Sequence, residues 1–585
     1  MVSMQSDRQP VEHSVTSTAT RGPCIKGSFR FRDARLHELM LAKGAAVAWR
    51  AAFLELGAIA AAGGADGDFA VGMHDERAGT FLAVDRFAVR TMCYRLVGDR
   101  LHFAERADTL AAIAPAAPLC QQALFDYLYF HAIPSPRTAF EGVNRLPAGH
   151  CAIHTNGELK VAAYWTPEFA EDTRLTLQDA GEEFRGLLRD AVRRRLNGER
   201  GACYLSGGTD SSTIAGMIGE AGGQPARSFS IGFDAEGYDE MAYARMAANR
   251  FNTEHHEYYV TPTDVVESLG HIATAYDQPF GNSSALPAYY CARMAAQHGV
   301  RHILAGDGGD ELFGGNVRYA KQRVFGLYSH LPDLVRRGFL EPALLRSALG
   351  QLPLVRKAAS YVQQASQPMP DRLDLYNLLT RIGVRDVLTP EFLQSVDTEA
   401  PMRHQRQVWN MPREAGELNR MLAFDWRYTL AESDLPKVSG TAQLAGIEVG
   451  FPMLDDALVR FSARLPRHFK LNGLKLRWFF KEALRGFLPE EILSKKKHGF
   501  GLPFGVWAVR HPPLARLAAD AVQGLVKRRI VQEAFVRRLF GELLPAHPGY
   551  YGEMVWILAV LEHWLQHWEQ RPRSAPAHHQ DNCAH

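Results

Sequence analysis

The feature that most constrains the fold is a buried strand that runs into a glycine- and serine-rich turn and then into a helix. The strand is Ala202–Leu205, the turn reads SGGTDSS, and an apolar helical segment, TIAGMIGEAG, follows. Glycines let the backbone turn sharply and approach an anion closely, and the free N–H groups of the turn and the helix N-terminus attract negative charge. An isolated turn of this kind is usually an ordinary helix cap, but the whole run from Leu205 to Ser212 after a buried strand favours phosphate binding.

Side chains of the turn add to this chemistry. Ser206, Ser211 and Ser212 supply hydroxyl donors, and Asp210 can hold a divalent cation that neutralises phosphate charge. No lysine follows the glycines, so the turn is not the G-x-x-x-x-G-K-S/T loop. Its two glycines are adjacent, so it is not the G-x-G-x-x-G turn either. It is similar to the PP-loop of ATP pyrophosphatases, which cleave ATP between the α and β phosphates and grip the pyrophosphate.

A cluster of carboxylates follows another apolar strand. Ile303–Ala305 leads into GDGGDELFGG, which places Asp307, Asp310 and Glu311 within five positions. Carboxylates this close repel one another unless a cation or an ammonium group lies among them. A solvated acidic turn is the alternative interpretation, but the carboxyl edge of a parallel sheet is where such folds bind ligands. We predict that Asp210 and Asp310 are ligands of Mg²⁺.

The pattern of elements predicts an α/β protein of two domains. From Ile25 to Trp165, short apolar runs are separated by Gly, Asp and Asn turns, which is typical of strands. Further on, strands alternate with amphipathic helices, as in parallel βαβ units, and after about Tyr319 we expect helices and no further strand. The predicted domains are residues 24–168 and 175–570, between a disordered leader (1–23) and a disordered tail (571–585).

Composition narrows the class of function. The chain has 66 Lys+Arg against 64 Asp+Glu, whereas a dedicated nucleic-acid binder normally carries a basic excess. The alanine-rich stretch at 45–62 is interrupted by Arg50, Glu55 and Gly57, so we expect one or two packed helices there and no membrane span. The seven cysteines form no C-x-x-C pair, and the first twenty residues lack the apolar core of a secretory signal. We therefore predict a cytoplasmic protein with neither a nucleic-acid nor a membrane partner.

Several segments together resemble the asparagine synthetase family. They are SGGTDSS, SIGFD followed by GYDEMAYAR, DQPFGNSSALPAYY, GDGGDELFGG and KKKHGFGLPFGVW, in the family's order, with GDFAVGMHD, VDRFAVR and HFAER in the N-terminal part. The resemblance covers about residues 24–570. It implies a glutaminase-like antiparallel β-sandwich flanked by helices, then a PP-loop ATP pyrophosphatase domain with a parallel sheet and a largely helical C-terminal part. It also implies an activity, in which ATP and Mg²⁺ activate a carboxylate as an acyl-adenylate and an amine displaces AMP to form an amide.

The resemblance assigns roles to the matching residues. Those expected to contact ATP or its pyrophosphate are Leu205, Ser206, Gly207, Gly208, Asp210, Ser211 and Ser212, with Ile231 and Phe233 beside adenine and Gly306 near the ribose. Lys497 matches the lysine that stabilises the charge developing at the adenylate. Asp307 or Glu448 would assist deprotonation of the attacking amine. Lys495 and Lys496 either help or belong to a solvated cationic turn, and we favour the turn.

Departures from the family pattern change the expected reaction. Glutamine-dependent members begin with a processed cysteine that hydrolyses glutamine, whereas this chain begins MVSM and Cys24 lies one residue out of register. The R-G-P-D and N-G-E segments that hold glutamine are missing, so we expect an inactive, shortened glutaminase-like domain. Gly440 and Gly450 stand where asparagine-forming members carry arginines, which predicts an enlarged, less charged acid pocket and disfavours aspartate.

These observations predict an ATP- and Mg²⁺-dependent ligase that couples a small carboxylic acid or a peptide to an amine, and the amine is not supplied by the protein's own hydrolysis of glutamine. Lasso-peptide cyclases and β-lactam synthetases resemble this arrangement, although the β-lactam type carries a tyrosine where this chain has Asp307. The alternative is an asparagine synthetase-like amidotransferase that uses free ammonia or glutamine, including one activated by cleavage before Cys24. A PP-loop tRNA-modifying enzyme fits less well, because the chain lacks a basic excess and paired cysteines. An inactive scaffold also fits less well, because the nucleotide residues are present. A homo-oligomer is compatible with each of these hypotheses.

Overall fold

The computed structural model describes residues 22–196, 198–329, 331–345, 355–412, 415–495 and 501–571. Most of the predicted leader and tail, together with Lys496 and Lys497, lies outside these residues. The described chain forms an antiparallel β-domain followed by a larger α/β domain, which confirms the predicted fold class.

Two antiparallel sheets stacked face to face form the N-terminal domain. The strands are β1 (Cys24–Phe31), β2 (Ala65–Asp75), β3 (Gly79–Val84), β4 (Cys93–Val97), β5 (Arg100–Ala104), β6 (Val143–Arg145), β7 (His150–Thr155) and β8 (Glu158–Ala163). One sheet has the order β1-β2-β3-β7-β8 and the other β5-β4-β6. Leu82 of the first sheet packs in one apolar cluster with Tyr94 and Phe103 of the second, so the predicted β-sandwich is confirmed.

Helices cover the outer faces of this sandwich. Helices α1 (Ala34–Lys43) and α2 (Ala45–Gly63) lie on the larger sheet and bury Trp49 and Phe53 there. Gly57, with a φ of 77°, breaks α2, as expected for two joined helices. By length and composition alone, α2 is the one helix in the described part of the chain that could cross a membrane. Helices α3 (Ala107–Ala111) and α4 (Gln121–Phe130) face the second domain.

A five-stranded parallel sheet forms the centre of the second domain. Its strands are β9 (Ala202–Tyr204), β10 (Arg227–Phe233), β11 (Glu254–Val260), β12 (His302–Leu304) and β13 (Glu448–Gly450), in the order β11-β10-β9-β12-β13. From β9 the chain adds β10 and β11 on one side, and β12 and β13 on the other. The strand order therefore reverses between β9 and β12.

Strand β13 corrects the prediction that no strand follows Tyr319. It pairs in parallel with β12, so that His302 lies opposite Glu448 and Leu304 opposite Gly450. Three residues are too few to show an alternating pattern, and the strand conformation depends on packing against β12. A short hairpin of β14 (Leu471–Asn472) and β15 (Lys475–Leu476) escapes sequence prediction for the same reason.

The remainder of the second domain is helical, as predicted. The helices are α5 (Leu177–Leu196), α6 (Thr209–Gly222), α7 (Met241–Arg250), α8 (Pro262–Ala275), α9 (Ala285–Gln297), α10 (Gly309–Phe313), α11 (Val317–Ser329), α12 (Asp333–Val335), α13 (Glu341–Leu345), α14 (Arg356–Ser366), α15 (Leu378–Ile382), α16 (Val384–Val387), α17 (Pro390–Gln394), α18 (Ala400–Trp409), α19 (Glu417–Asp425), α20 (Leu435–Leu444), α21 (Asp456–Arg464), α22 (Arg467–Lys470), α23 (Trp478–Ala483), α24 (Glu490–Ser494), α25 (Phe504–Arg510), α26 (Pro512–Lys527), α27 (Glu533–Arg538), α28 (Leu544–Ala546) and α29 (Pro548–Gln570). π-helical turns span Arg336–Leu340, Trp426–Asp434 and Leu539–Leu543, and 3-10 turns span Asp371–Tyr376 and Pro452–Leu454.

One apolar core joins the two domains. Phe140 of the N-terminal domain packs against Trp568 of α29 with ring centres 4.5 Å apart, and Leu124 belongs to the same buried cluster. Tyr127 adds a polar link, because its hydroxyl donates to the carbonyl of Ile557 at 2.8 Å. The N-terminal domain is therefore packed into the second domain, and the proposed boundary between them, at 168–175, stays a prediction.

Candidate active site

The candidate site lies at the carboxyl edge of the parallel sheet, where the strand order reverses. The turn after β9 (205–208) and the turn after β12 (305–308) flank this position. Open α/β sheets bind their ligands in the crevice between two such turns. The two motifs that the sequence analysis singles out thus meet at one place.

The glycine-rich turn allows close approach of the backbone. Gly207 has a φ of 69°, and a Cβ there would lie 2.4 Å from the backbone nitrogen of Ala244. The N–H of Ser206 donates to Ser211 Oγ at 3.1 Å, and the two hydroxyl oxygens lie 3.0 Å apart. These contacts hold the turn at the N-terminus of α6, a helix of 14 residues whose free N–H groups suit an anion. Ser212 is fully buried one position further on.

The other predicted nucleotide contacts lie at the same edge. Ile231 and Phe233 belong to the carboxyl half of β10, next to β9. The carbonyl of Leu205 accepts a hydrogen bond from the hydroxyl of Ser230. A Cβ on Gly306 would lie 2.8 Å from the backbone nitrogen of Ser211, so the turn after β12 approaches the start of α6 directly. This tight backbone cradle, which a side chain would fill, fits a nucleotide phosphate.

A buried arginine lies between the two predicted metal ligands. Arg477 Nη1 donates to Asp210 Oδ2 at 2.8 Å and to Asp310 Oδ1 at 2.7 Å, and Nη2 binds the other oxygen of Asp210. The side chain of Arg477 is 7% exposed, against 20% for Asp210 and 16% for Asp310. Burial disfavours its charge, but Asp210 and Asp310 hold the pKa of Arg477 above its usual value. The cation required among these carboxylates is therefore a guanidinium here.

The glycines of the acidic motif make room for this cluster. A Cβ on Gly309 would lie 2.1 Å from Asp210 Oδ1, and one on Gly315 would lie 1.7 Å from Asp310 Oδ1. Arg477 itself stands alone in the segment LKLRWFF and carries no motif signal. The close spacing of the carboxylates indicates that a cation is needed, but not which residue supplies it.

The donor set of this cluster fits Mg²⁺. Both carboxylates converge on one point, and Mg²⁺ is usually held by one or two carboxylates together with nucleotide phosphates and water. Among the described residues, no group of three or more His, Cys, Asp or Glu side chains is arranged to hold a metal ion. Asp210 and Asp310 would therefore share the ion with phosphate oxygens.

Asp307 belongs to a second charged cluster beside the first. Lys437 Nζ lies 3.8 Å from Asp307 Oδ1 and 2.9 Å from Asp434 Oδ1. Burial raises the pKa of Asp307 to about 6, and Lys437 opposes this shift. A carboxylate that titrates near neutrality suits proton transfer from an amine. Lys437 and Asp434 were not among the predicted site residues, since neither stands in the acidic motif.

The structure does not bring Glu448 to this site. Glu448 is exposed at the first position of β13, opposite His302, whereas Asp307 follows the carboxyl end of β12. Each strand residue advances the chain by about 3.3 Å, so two further residues separate Glu448 from the edge that binds ligands. The predicted part of Glu448 in amine deprotonation is corrected on this ground.

Lys495 is the one residue of the cationic segment Lys495–Lys497 that the structure describes. Its Nζ lies 2.9 Å from Glu240 Oε1 and 3.5 Å from the carbonyl of Gly207, and its side chain is 8% exposed. The favoured interpretation of Lys495 as part of a solvated turn is therefore wrong, because the ammonium group is buried against the glycine-rich turn after β9. The role of Lys497 stays a prediction.

Gly440 and Gly450, the two glycines expected to stand in place of arginines, both lie close to other side chains. A Cβ on Gly440 would lie 2.4 Å from the ring of Tyr276, which stacks on Phe280 with ring centres 4.6 Å apart. A Cβ on Gly450 would lie 3.1 Å from Cδ of Arg195. The spaces directly beside both glycines are therefore occupied, and the enlarged acid pocket stays a prediction. At Gly440 an aromatic ring takes the space that an arginine would need.

Cys24 lies at the start of a strand, with a thiol that is partly buried. It begins β1, where it pairs with Gly72 of β2. Burial, assisted by the nearby charge of Glu105, raises the pKa of its thiol, with Lys26 opposing. The thiolate is the reactive form of cysteine, so this environment disfavours nucleophilic attack.

Comparison with protein families agrees with this geometry. The model of the asparagine synthase family matches residues 183–566, which contain both motifs of the site. The chain belongs to the asparagine synthase family. A model of the glutamine amidotransferase domain matches residues 49–165, downstream of Cys24. Members of this family are ATP-dependent ligases that form carbon–nitrogen bonds.

Individual relatives of this asparagine synthase family member carry different names. Asparagine synthetase 1 (glutamine-hydrolyzing) of Bacillus subtilis is 24% identical over 73% of this chain and 66% of its own length. Asparagine synthetase 3 of the same organism is 23% identical over 74% of this chain and 66% of its own. The amidase chyE of Penicillium rubens is 27% identical over 75% of this chain and 70% of its own length. The chain thus spans just under two thirds of the length of the two Bacillus proteins.

Proposed function

We propose that this asparagine synthase family member is an ATP- and Mg²⁺-dependent ligase that adenylates a carboxylic acid, releases pyrophosphate and joins the acyl group to an amine. We further propose that the amine does not come from its own hydrolysis of glutamine. One contrast carries this proposal: the phosphate turn and the acidic cluster converge at the sheet edge, whereas Cys24 lies in a strand with its thiol form favoured.

The free state of all six described cysteines supports a reducing, cytoplasmic location.

The first half of the reaction would use the turn after β9. Backbone N–H groups from Ser206 to Ser211 would bind the pyrophosphate, and Asp210 and Asp310 would hold Mg²⁺, which when bound neutralises phosphate charge. Lys497 would stabilise the charge that develops as the substrate carboxylate attacks the α-phosphate. Electrostatic stabilisation of this kind contributes most in a site that excludes water.

The second half would depend on Asp307. Its ionised carboxylate would take a proton from the substrate ammonium group, and the freed lone pair would attack the acyl carbon of the adenylate. The bond between that carbon and the phosphate oxygen then breaks, AMP leaves with the electron pair, and the second proton of the acylated nitrogen passes to solvent. Lys437, bound to both Asp307 and Asp434, would position the accepting carboxylate.

The surroundings of Gly440 support an acid other than aspartate. Tyr276 and Phe280 form an aromatic wall there, and Lys437 is already paired with two carboxylates. A second carboxylate on the substrate would find no guanidinium at this position to receive it. An uncharged acyl group, as in a natural-product acid or a peptide, fits this wall better. The relative named as an amidase supports a substrate range wider than asparagine formation.

The second candidate is an amidotransferase that takes ammonia from solution or from glutamine. The match to the glutamine amidotransferase domain and the relatives named as glutamine-hydrolyzing favour it. Isotopic labelling separates the two. With ATP, Mg²⁺ and a panel of acids and amines, we expect no product labelled from amide-¹⁵N-glutamine or from ¹⁵N-ammonium. Labelled amide detected by mass spectrometry would establish the second candidate in place of the first.

A further inference from the structure

Arg477 occupies the point at which the two predicted metal ligands converge. Besides its bonds to Asp210 and Asp310, Nη1 donates to Thr209 Oγ1 at 2.9 Å. The guanidinium carbon lies 4.0 Å above the ring of Phe480. The backbone of Arg477 is held as well, since its N–H donates to the carbonyl of Lys470 at 2.9 Å. The side chain is therefore built into the site from several sides.

A guanidinium and a magnesium ion cannot both occupy the point between these carboxylates. Mg²⁺ requires oxygen ligands at about 2.0–2.1 Å in nearly octahedral geometry. Both carboxylate oxygens of Asp210 accept hydrogen bonds from Arg477, and so does one oxygen of Asp310. An ion bound to the two carboxylates would therefore displace the guanidinium, which would then need another anionic partner.

We propose that Arg477 is the resident counter-ion of the nucleotide-free enzyme and that it transfers to the phosphates when ATP and Mg²⁺ enter. This inference rests on the proposed use of MgATP at this site. While the guanidinium is bound to both carboxylates, it offsets part of their charge and occupies the point between them, so a hydrated divalent ion is attracted only weakly. The triphosphate supplies the missing negative charge and offers Arg477 a bidentate partner. Mg²⁺ then binds Asp210 and Asp310 only together with the nucleotide.

Mn²⁺ binding measured by electron paramagnetic resonance tests this order without any acid or amine. The wild-type full chain should leave Mn²⁺ free in the absence of ATP and bind it when ATP is added. Arg477→Gln should gain one Mn²⁺ site that does not require nucleotide, with an affinity for Mn²⁺ about tenfold or more above that of the wild type. The reason is that the guanidinium no longer occupies the point where Asp210 and Asp310 would bind the ion. Arg485→Gln is the matched control, since Arg485 is an exposed arginine of the same segment that pairs with Glu482 and Glu490.

A stability measurement keeps the test valid if Arg477→Gln weakens the fold. Without its guanidinium the carboxylate pair repels, so Mg²⁺ alone should raise the melting temperature of Arg477→Gln and leave that of the wild type unchanged. Adding Asp310→Asn to the variant should remove both the Mn²⁺ site and the Mg²⁺ effect.

Two results would overturn the inference. One is equal nucleotide-free Mn²⁺ affinity in the wild type and Arg477→Gln. The other is a folded Arg477→Gln protein that gains neither Mn²⁺ binding nor stabilisation by Mg²⁺. Failure of the proposed function would give a different result. In that case no carboxylic acid would support ATP–pyrophosphate exchange, whatever the Mn²⁺ measurement shows.

Discussion

At the scale of single residues, the surroundings of Asp307 set the pKa of its carboxyl group and so its capacity to act as a base. Burial raises its pKa to about 6, and the charge of Asp434 adds to the rise while Lys437 opposes it. The carboxylate thus ionises as the pH rises through about 6, and only the ionised form accepts a proton from the amine. Turnover should therefore increase with pH across this range and level off above it.

Asp307→Asn should remove this pH dependence and lower amide formation by about 10²–10⁴-fold, because an amide side chain cannot accept the proton. The pH–rate profile of amide formation checks it. Asp434→Asn is the companion variant. Asp434 raises the pKa of Asp307. In this variant the rate of amide formation should therefore still increase with pH, but the increase should occur at lower pH. An Asp307→Asn enzyme that keeps the wild-type profile would exclude Asp307 as the base.

Lys497→Ala should abolish formation of the acyl-adenylate while leaving ATP binding and folding largely intact. The expected loss is about 10²–10³-fold, the usual effect of removing one donor from a site of developing charge. Trapping of the adenylate with hydroxylamine measures the first effect, and calorimetric titration with ATP measures the second. Unchanged trapping would remove Lys497 from the mechanism.

Residues inside motifs could be predicted from the sequence, and residues between motifs could not. Asp210, Asp310 and Gly207 follow from the motifs, since each stands in a pattern with a chemical reason. Arg477 is isolated in the chain and reaches the site only through the fold. Glu448 shows the reverse error, because a linear motif does not reveal which end of a strand faces the ligand.

Among the elements, the turn between β9 and α6 carries the strictest backbone requirement. Gly207→Ala should abolish ATP binding, because its φ of 69° and the 2.4 Å approach to Ala244 leave no room for a Cβ. Overpacking of this kind costs typically about 1–3 kcal/mol. Gly223→Ala is the matched control, since it has a φ of 71° at the other end of α6 but no atom within 4 Å of the added Cβ.

ATP titration by calorimetry and thermal unfolding compare the two variants. Both should lose some stability from backbone strain, and only Gly207→Ala should lose nucleotide binding. Equal ATP affinity in Gly207→Ala and the wild type would contradict the assignment of the turn as the phosphate site.

Elements with a long pattern or an adjoining motif could be predicted. Strand β10 shows an apolar run, the short strand β12 is followed by the acidic glycine-rich motif, and α2 shows its interruption at Gly57. β13 could not be predicted, because its three residues become a strand only through pairing with β12. Its position completes the sheet.

In the whole molecule, the N-terminal domain serves as part of the core. Phe140 packs on Trp568, and Tyr127 bonds to the backbone of α29. Deletion of residues 1–168 should therefore expose apolar surface on α29 and give an insoluble or dye-binding product. Cys24→Ala in the full chain should keep the melting temperature and the ligase activity. A soluble, stable 169–585 fragment would contradict this structural role.

The division into two domains could be predicted from the change in element pattern, but the shared core could not. Helices α3 and α4 follow from local sequence, whereas the contact of α4 with α29 joins positions more than 400 residues apart. Such packing leaves no periodic signal in either segment. The same limit applies to Tyr276, which fills the space beside Gly440 from another part of the chain.

The most direct test of the central claim is ATP–pyrophosphate exchange. Purified full-length protein with Mg²⁺, ATP and labelled pyrophosphate is screened against carboxylic acids and peptides, with and without glutamine. We expect exchange that depends on the acid, is indifferent to glutamine and is weak with aspartate. Pyrophosphate release that requires glutamine and yields glutamate in equal amount, or hydrolysis to ADP and phosphate, would contradict it.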